Sequence, residues 1–377
     1  MKEMDPGQVS DDQPTSWMEL QAAIESLLVS LILKERSREV SHLDANTSLL
    51  DTGIIDSLFI HELIAYVESE FDIIVAPEEI TPESFCSVRE IACLILRSRE
   101  LGGVGRQVDA FEILNKLMES YGLRRQWMQL STGRHHLLSC PGDGPPLLLM
   151  SGLASPASSW GILMRTLNGK RETYALDLAG FGVSDAGDDC SVYRHIDNTI
   201  EVIDKVIGKP VILVGNSAGA MISAGVIKRR PDLSRALVVI GFGAIADGQG
   251  WWSDIHRLSS NSKAFWESAF YDPPPLNKGL EQQLARTLLS DAYLEFLSPE
   301  ALDDLPGVFE GLSLPTMFVG GMNDRIVGQD IVEAGARQVP DARLEWIPRC
   351  GHYPQSERSE ELLVYIEHFI KHNLDST

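Results

Sequence analysis

The sequence predicts two domains: an all-α domain, followed by an α/β domain built on a mostly parallel sheet. Length is the first observation, because 377 residues exceed what one ordinary hydrophobic core organises. The second is a change of pattern, from apolar residues at helical spacing before residue 100 to alternating strands and helices after residue 122. The third is the run Leu-Gly-Gly-Val-Gly at residues 101–105, whose glycines interrupt the helical pattern.

Composition disfavours several classes of function. The net charge of −22 argues against nucleic acid and anionic membranes as partners, because phosphate binding requires clustered Lys and Arg. The five cysteines are scattered and lack Cys-x-x-Cys spacing, so we expect no disulfide framework, no metal site and a reducing cytoplasm. No apolar run reaches the ~20 residues of a membrane helix. Residues 1–16 are acidic and polar, and we expect them to be disordered and without a secretory signal.

The first hundred residues are acidic and helical in pattern, with 20 acidic against 7 basic side chains, a net of −13. Three groups of apolar residues at helical spacing predict three amphipathic helices. The groups are Trp17, Leu20, Ile24, Leu27, Leu28, Leu31 and Ile32; Ile60, Leu63, Ile64 and Val67; and Val88, Ile91, Leu94 and Ile95. A small helical bundle over residues 17–100 is the simplest interpretation, with residues 101–121 as a connector that includes a helical stretch.

A serine opens the second predicted helix. Ser57 follows Gly-Ile-Ile-Asp and lies where a loop meets the helix N-terminus, a position that exposes its side chain and favours an anionic group. Ser and Asp are also ordinary helix caps, and Asp-Ser-Leu alone favours that simpler explanation. The longer stretch, however, resembles the acyl carrier proteins of fatty-acid and polyketide synthesis, in which Gly-x-x-Asp-Ser-Leu opens the second helix.

This resemblance covers about residues 17–100 and continues through Glu-Ser-Glu-Phe-Asp-Ile at 68–73 and Pro-Glu-Glu-Ile at 77–80. It implies a four-helix carrier bundle in which Ser57 holds covalent 4′-phosphopantetheine, added by a phosphopantetheinyl transferase. Acyl-loading or assembly-line enzymes would be further partners, since such carriers dock on basic patches through an acidic second helix. Carriers of single amino acids can also have Asp-Ser, so the cargo stays open.

Beyond the connector the pattern is that of an α/β domain. Two short segments separated by Ser-Thr-Gly predict a hairpin, and six further strand segments alternate with helical ones. The predicted strands are residues 126–130, 136–139, 146–150, 172–178, 210–214, 235–240, 315–319 and 343–347. A helical insertion rich in aromatics, at about residues 245–310, interrupts the alternation.

One strand runs directly into Gly215-Asn-Ser217-Ala-Gly219. A serine on a strained strand-to-helix turn requires small residues on both sides, because larger side chains would clash there. A glycine-rich turn with an incidental serine would also give this pattern, but the preceding apolar strand and the following helical residues favour a nucleophile.

Two more residues follow in the order Ser, Asp, His: Asp324 after Gly-Gly-Met-Asn, and His352 after Arg-Cys-Gly. This set resembles the α/β-hydrolase superfamily over about residues 122–377. The resemblance implies that Ser217 is the nucleophile, His352 its general base and Asp324 the group that orients the imidazole. It also places the oxyanion hole at the backbone N–H groups of Leu153 and Ala218.

Each assignment has a rival. His352 could be a surface histidine and Asp324 a turn residue, in which case Asp247, in the loop after the preceding strand, is the alternative acid. The superfamily usually has His-Gly before the oxyanion residue, whereas this chain has Ser151, a supporting position at which activity should survive. Asp177 and Asp185 are expected to be structural.

The fusion of a carrier to a hydrolase predicts a carrier-linked serine thioesterase or acyltransferase, since tethering raises the local concentration of the substrate. The acyl group would pass from a phosphopantetheine thioester to Ser217. The alternatives are a carrier and docking module with a silent hydrolase, and a lyase or cyclase acting on the tethered chain. The resemblance to the α/β-hydrolases implies that the insertion forms a lid over the serine. A few of its aromatics are then expected to favour a medium or aromatic-bearing acyl group as the small-molecule substrate. These are Trp251, Trp252, Phe265, Trp266, Phe270, Tyr271, Tyr293 and Phe296.

Overall fold

The computed structural model describes residues 17–35, 43–50, 52, 54, 57–71, 73, 75, 79–81, 83–100, 118–119, 121–273, 276 and 278–374. They divide into two compact units, one drawn from residues 1–55 and 67–105 and the other from 56–66 and 106–377. The predictions for residues 1–16 and for most of the connector lie outside the described residues. Within the described part of the chain, no helix is both long and apolar enough to cross a membrane.

The described residues of the first hundred include three helices at the positions that the apolar spacing predicts: α1 (Trp17–Glu35), α2 (Ser57–Phe71) and α3 (Val88–Glu100). The apolar residues Ile24, Leu28 and Ile32 are buried along α1, one per helical turn. Helix α1 packs on α3, and Arg89 Nε lies 3.3 Å from the Glu25 carboxylate between them. The carrier bundle itself stays a prediction.

The second unit is built on one eight-stranded sheet. Its strands are β1 (Arg124–Leu130), β2 (Gly133–Cys140), β3 (Asp143–Met150), β4 (Arg171–Leu176), β5 (Val211–Asn216), β6 (Ser234–Ile240), β7 (Thr316–Gly321) and β8 (Arg343–Ile347). The strand order is β1-β2-β4-β3-β5-β6-β7-β8. Strands β1 and β2 form the predicted hairpin, β2 pairs antiparallel with β4, and every other pairing is parallel. The predicted mostly parallel α/β sheet is confirmed.

Helices cover the sheet, as a parallel sheet buried on both faces requires. They are α4 (Gly161–Leu167), α5 (Val192–Val202), α6 (Ala218–Arg229), α12 (Gln329–Ala336), α13 (Pro354–Glu357) and α14 (Ser359–Asn373). The insertion after β6 carries α7 (Gly248–Ser259), α8 (Ser262–Ala269), α9 (Lys278–Leu288), α10 (Asp291–Glu295) and α11 (Pro299–Asp303). We call residues 245–310 the lid segment.

The central strands are buried along their whole length because both of their faces are covered. All six residues of β5 and all six of β7 are buried. Parallel strands end at the same edge of the sheet, so the loops after β3, β5, β6, β7 and β8 lie near one another at that edge. The predicted hydrolase residues lie in those loops or at the helix start that follows, namely Leu153, Ser217, Ala218, Asp247, Asp324 and His352.

Candidate active site

Ser217 lies in the sharp turn between β5 and α6. Its backbone has φ 53° and ψ −119°, a left-handed conformation that is costly for a residue with a side chain. The Ser217 N–H donates a hydrogen bond of 2.8 Å to the carbonyl oxygen of Ile240, at the end of the neighbouring strand. The strained turn is therefore held by the sheet and presents the serine at the sheet edge.

The two glycines beside this serine are required by close packing. A Cβ atom at Gly215 would collide with the backbone of Gly219 and Ala220, and one at Gly219 would collide with the carbonyl oxygen of Met150. The packing of the turn therefore requires small residues at both positions, as the motif predicts.

His352 and Asp324 meet in a short hydrogen bond. His352 Nδ1 lies 2.7 Å from Asp324 Oδ2, and both side chains are buried. The other Asp324 oxygen, Oδ1, accepts the backbone N–H groups of Ile326 at 2.8 Å and Val327 at 2.9 Å. These two bonds fix the carboxylate, and the carboxylate in turn fixes the imidazole with Nδ1 on the aspartate side.

Asp247, the alternative acid, is located elsewhere. It is exposed and caps helix α7, with its Oδ1 accepting the Gly250 N–H at 2.9 Å. An aspartate that precedes a helix satisfies an otherwise unpaired N–H group, which explains this conformation. The carboxylate that is hydrogen-bonded to His352 is that of Asp324, so the geometry does not support Asp247 in this role.

Ser217 and His352 line one cavity of about 40 Å³. Leu153 and Ala218, the two predicted oxyanion-hole residues, line the same cavity. Ala218 begins α6, and the first N–H groups of a helix have no partner within it. Nucleophile, histidine and both predicted oxyanion residues are thus brought together at the end of the sheet.

Ser151, which replaces the histidine usual in the superfamily, organises the loop after β3. Its hydroxyl accepts the Trp160 indole N–H at 3.0 Å and lies 3.2 Å from the carbonyl oxygen of Pro156. In the same loop Ala154 has a positive φ of 63°, and a Cβ at Gly152 would lie 3.0 Å from Ser217 Cβ. The loop of Leu153 is therefore held tightly beside the serine.

The lid segment supplies much of the cavity wall. Five of its eight aromatics line the cavity, namely Trp251, Trp252, Phe265, Tyr293 and Phe296, whereas Trp266, Phe270 and Tyr271 do not. More of the eight therefore border the cavity than the few expected from the sequence. Burial raises the pKa of Tyr293 to about 12, and its hydroxyl pairs with Ser259 at 2.7 Å.

The wall of the cavity is mostly apolar. Apart from Ser217 and His352, the residues that line it are apolar, aromatic or tyrosine. Among the described residues, no Lys, Arg, Asp or Glu lines it. A ligand's ionised group would have no opposite charge to pair with in this wall, and burying it there would be costly.

Two residues of the site were missed from the sequence. Asn216 is fully buried, and its Nδ2 donates to the carbonyl oxygens of His352 at 3.0 Å and Ile240 at 3.3 Å. Gln355 Nε2 in turn donates to Asn216 Oδ1 at 3.1 Å. These amides join the serine turn to the histidine loop, and the variable position of the Gly-x-Ser-x-Gly motif gave no signal of this.

Ser57 is the first residue of α2, as predicted, but its side chain lies outside the described part of the structure. Asp56 and residues 77–78 of the carrier-like motif also lie outside it. Asp177 is buried, where its Oδ1 accepts the Ala157 N–H at 2.6 Å and its Oδ2 lies 2.8 Å from His136 Nδ1. Asp185 Oδ2 accepts the Arg134 N–H at 3.1 Å, so both aspartates connect structural elements of the fold.

Comparison with known proteins places this unit. Residues 147–364 match the alpha/beta hydrolase family. A 2-hydroxymuconate semialdehyde hydrolase of Pseudomonas putida is 27% identical over 260 residues, covering 64% of this chain and 92% of that protein. A pimeloyl-[acyl-carrier protein] methyl ester esterase of Nitrosospira multiformis is 23% identical over 259 residues, covering 61% and 96%. The crystal structure of a membrane phospholipase A superposes with a TM-score of 0.58 at 22% identity, over 75% of this chain and 98% of that one.

Proposed function

Since the chain belongs to the alpha/beta hydrolase family, we propose that it is a serine hydrolase that cleaves an acyl ester or thioester through an acyl-enzyme on Ser217. One observation carries the proposal: Ser217 and His352 line the same cavity, and His352 is hydrogen-bonded to the buried carboxylate of Asp324. A serine hydroxyl is a weak nucleophile until an adjacent base takes its proton, and a histidine fixed through Nδ1 presents Nε2 for that purpose.

The chemistry follows from these positions. Ser217 Oγ attacks the acyl carbonyl carbon while His352 Nε2 accepts the serine proton. The negative oxygen of the tetrahedral intermediate is stabilised by the N–H groups of Leu153 and Ala218. His352 then gives its proton to the leaving thiol or alcohol, and the acyl group stays on Ser217. Water, or an alcohol, amine or thiol acceptor, attacks that ester with the same histidine as base, and Ser217 is released with its proton.

The cavity wall supports an uncharged, apolar acyl group. Burying an apolar side chain or an equivalent part of a ligand contributes ~1.5–3 kcal/mol, and the lid segment offers five aromatics for such contacts. A cavity of about 40 Å³ holds only a few water-sized groups, so a medium or aromatic-bearing acyl chain would enter as lid side chains move.

We further propose that the substrate is a thioester delivered by a carrier, with Ser57 as the attachment site. The fit rests on Ser57 being the first residue of α2, a helix of 15 residues whose N-terminal N–H groups favour a phosphate. When attached there, 4′-phosphopantetheine would supply the thiol that carries the acyl group. The esterase of Nitrosospira multiformis, whose substrate is named as an acyl-carrier-protein ester, supports carrier-borne substrates in this family.

A second candidate is hydrolysis of an acidic substrate like that of the Pseudomonas putida relative, which the 27% identity favours. The wall of the cavity argues against it. A carboxylate-bearing substrate calls for a Lys or Arg partner, and none lines the cavity among the described residues.

Labelling tests the nucleophile first. A fluorophosphonate should modify the wild-type chain once, on Ser217, and Ser217→Ala should stay unlabelled. The matched control is Ser223→Ala, since Ser223 lies in α6 with its hydroxyl bonded to the Gly219 carbonyl oxygen at 2.7 Å. Labelling that persists in Ser217→Ala would remove the proposed nucleophile and favour a silent hydrolase.

Intact-mass analysis tests the carrier. Incubation with coenzyme A and a phosphopantetheinyl transferase should add one arm to the wild type and none to Ser57→Ala. With acyl arms loaded, an apolar series should be released faster by the wild type than by Ser217→Ala. Faster release of acetyl or of a charged acyl group would contradict the apolar cargo, and a rearranged product in place of the acid or transferred acyl group would indicate a lyase or cyclase.

A further inference from the structure

Glu357 ends α13, the short helix that follows the loop of His352. Its two carboxylate oxygens accept backbone N–H groups from two distant segments. Oε1 accepts from Gly351, next to His352, at 2.7 Å, and Oε2 accepts from Tyr271 in the lid segment at 2.8 Å. One side chain thus connects the histidine loop to the lid segment.

The junction is tightly packed. The His352 N–H donates to the carbonyl oxygen of Ala269, the last residue of α8, at 2.7 Å. A Cβ atom at Gly351 would lie 2.5 Å from that same Ala269 oxygen. The position of the imidazole therefore depends on how the segment 269–271 and the loop 350–352 are held together.

An ionised carboxylate holds both N–H groups more strongly than a protonated carboxyl or an amide does. Each ionised oxygen is a charged acceptor, whereas protonation leaves one oxygen as a weaker acceptor and an amide presents a donor at one of the two positions. One of the two bonds is therefore weakened by protonation and lost in the amide. Replacement of Glu357 by Gln keeps the size and shape of the side chain and removes one acceptor.

We propose that Glu357 is a positioning residue, whose ionised carboxylate fastens the histidine loop to the base of the lid segment and so holds His352 in its active position. This inference rests on the proposed function for the role of His352, whereas the clamp between the two segments is independent of it. Glu357 lies five residues beyond His352 and outside the cavity wall, so the sequence motifs of the site do not include it.

The charge of Glu357 is sensitive to pH. Burial raises its pKa from 4.5 to about 7, against the lowering effect of the two backbone hydrogen bonds. The ionisable groups around it are Arg358 beside it, Asp324 after β7, Cys350 in the histidine loop with Sγ 3.9 Å from Oε1, and Tyr271 in the lid segment. Glu361 on α14 acts on the neighbouring Cys350.

The pH dependence of stability and the pH dependence of the clamp have opposite directions. The folded-state pKa lies above that of the unfolded chain, so the folded state binds more protons between about pH 4.5 and 7. The stability contribution of Glu357 therefore falls as pH rises through that window, while the clamp forms. If Glu357 only stabilised the fold, activity and the free energy of unfolding would change in the same direction as the pH rises.

The first test is a pH profile of kcat/KM for Glu357→Gln, with an apolar acyl thioester as substrate and Glu360→Gln, an exposed change on α14, as control. The acid limb of the wild type and of the control should contain the ionisation of Glu357, and the acid limb of the variant should lack it. At pH 8 the variant should lose about 10- to 100-fold in kcat/KM, mostly in kcat, because misplacing a catalytic group by about 1 Å costs that much. An unchanged acid limb would overturn the proposal.

The second measurement needs neither activity nor a variant. Hydrogen exchange of the amides of Gly351 and Tyr271, corrected for intrinsic rates, should be more protected at pH 8 than at pH 6 in the wild type, while β5 amides serve as reference. Equal protection at both pH values would overturn the clamp. If the wild type shows the pH-dependent protection but no hydrolysis that depends on Ser217, the proposed function is refuted and the clamp is not.

Discussion

The described residues of the α/β unit include two histidine–aspartate pairs whose local geometry is nearly the same. His136 Nδ1 lies 2.8 Å from Asp177 Oδ2, and His352 Nδ1 lies 2.7 Å from Asp324 Oδ2, with all four side chains buried. In each pair the aspartate follows a strand and also accepts two backbone N–H groups.

The pairs differ in what lies beyond the histidine. His352 lines a cavity together with Ser217, whereas His136 is enclosed, with the Trp127 ring centre 5.3 Å from its own. Asp177 links β4 to the loop after β3 through the Ala157 N–H. A buried His–Asp pair therefore indicates rigidity in both places, and a reactive site only where a nucleophile and a cavity adjoin it.

Replacing the two histidines should separate the pairs most strongly. His352→Ala should reduce kcat/KM by roughly 10⁴- to 10⁶-fold, because Ser217 loses its base, with a much smaller effect on unfolding. His136→Ala should instead lower the free energy of unfolding by ~3–5 kcal/mol, because it breaks a buried pair and leaves Asp177 without its partner. Rates measured on the folded variants and denaturant-induced unfolding curves check this. A folded His136→Ala that lost as much activity as His352→Ala would contradict the distinction between the pairs.

The two aspartates should follow the same division with smaller effects. Asp324→Asn should reduce kcat by about 10⁴-fold with KM little changed, since an amide favours the wrong imidazole tautomer. Asp177→Asn should cost ~1–3 kcal/mol of stability, because an amide donor then faces a buried N–H or the histidine, and should leave the rate within a few-fold. Steady-state kinetics and unfolding curves of both variants check this. A larger loss of kcat in Asp177→Asn than in Asp324→Asn would reverse the two assignments.

The smallest effect is expected at Asp247, an aspartate with no histidine partner. Asp247→Ala removes the cap of α7 and should cost ~1 kcal/mol in thermal or urea unfolding while kcat stays near wild type. Asp254→Ala, an exposed change within the same helix, controls for loss of charge. If Asp247→Ala abolished turnover of the folded protein, the acid would have to be reassigned from Asp324.

Much of this fold could be predicted because its signals are local. Each of the eight strands lies where a short apolar segment predicted one, with shifts of a few residues at the ends. The turn of Ser217 could be predicted because the positions of Gly215 and Gly219 have no room for a side chain, and the motif spans only five residues of the chain. Helices α1, α2 and α3 follow the apolar spacing in the same way, whereas the carrier function of Ser57 rests on resemblance.

The sequence by itself determined the order of strands and helices, the strained serine turn and the candidate histidine, because each depends on residues close together in the chain. Only the tertiary structure showed that Asp324, and not Asp247, is hydrogen-bonded to His352, since 28 residues separate Asp324 from His352 and hydrogen-bond partners at that distance leave no periodic trace. It also selected the five aromatics that face the cavity and revealed Asn216 and Glu357. Their partners lie 136 and 86 residues away, where only the packing of the sheet, the lid segment and the histidine loop brings them into contact.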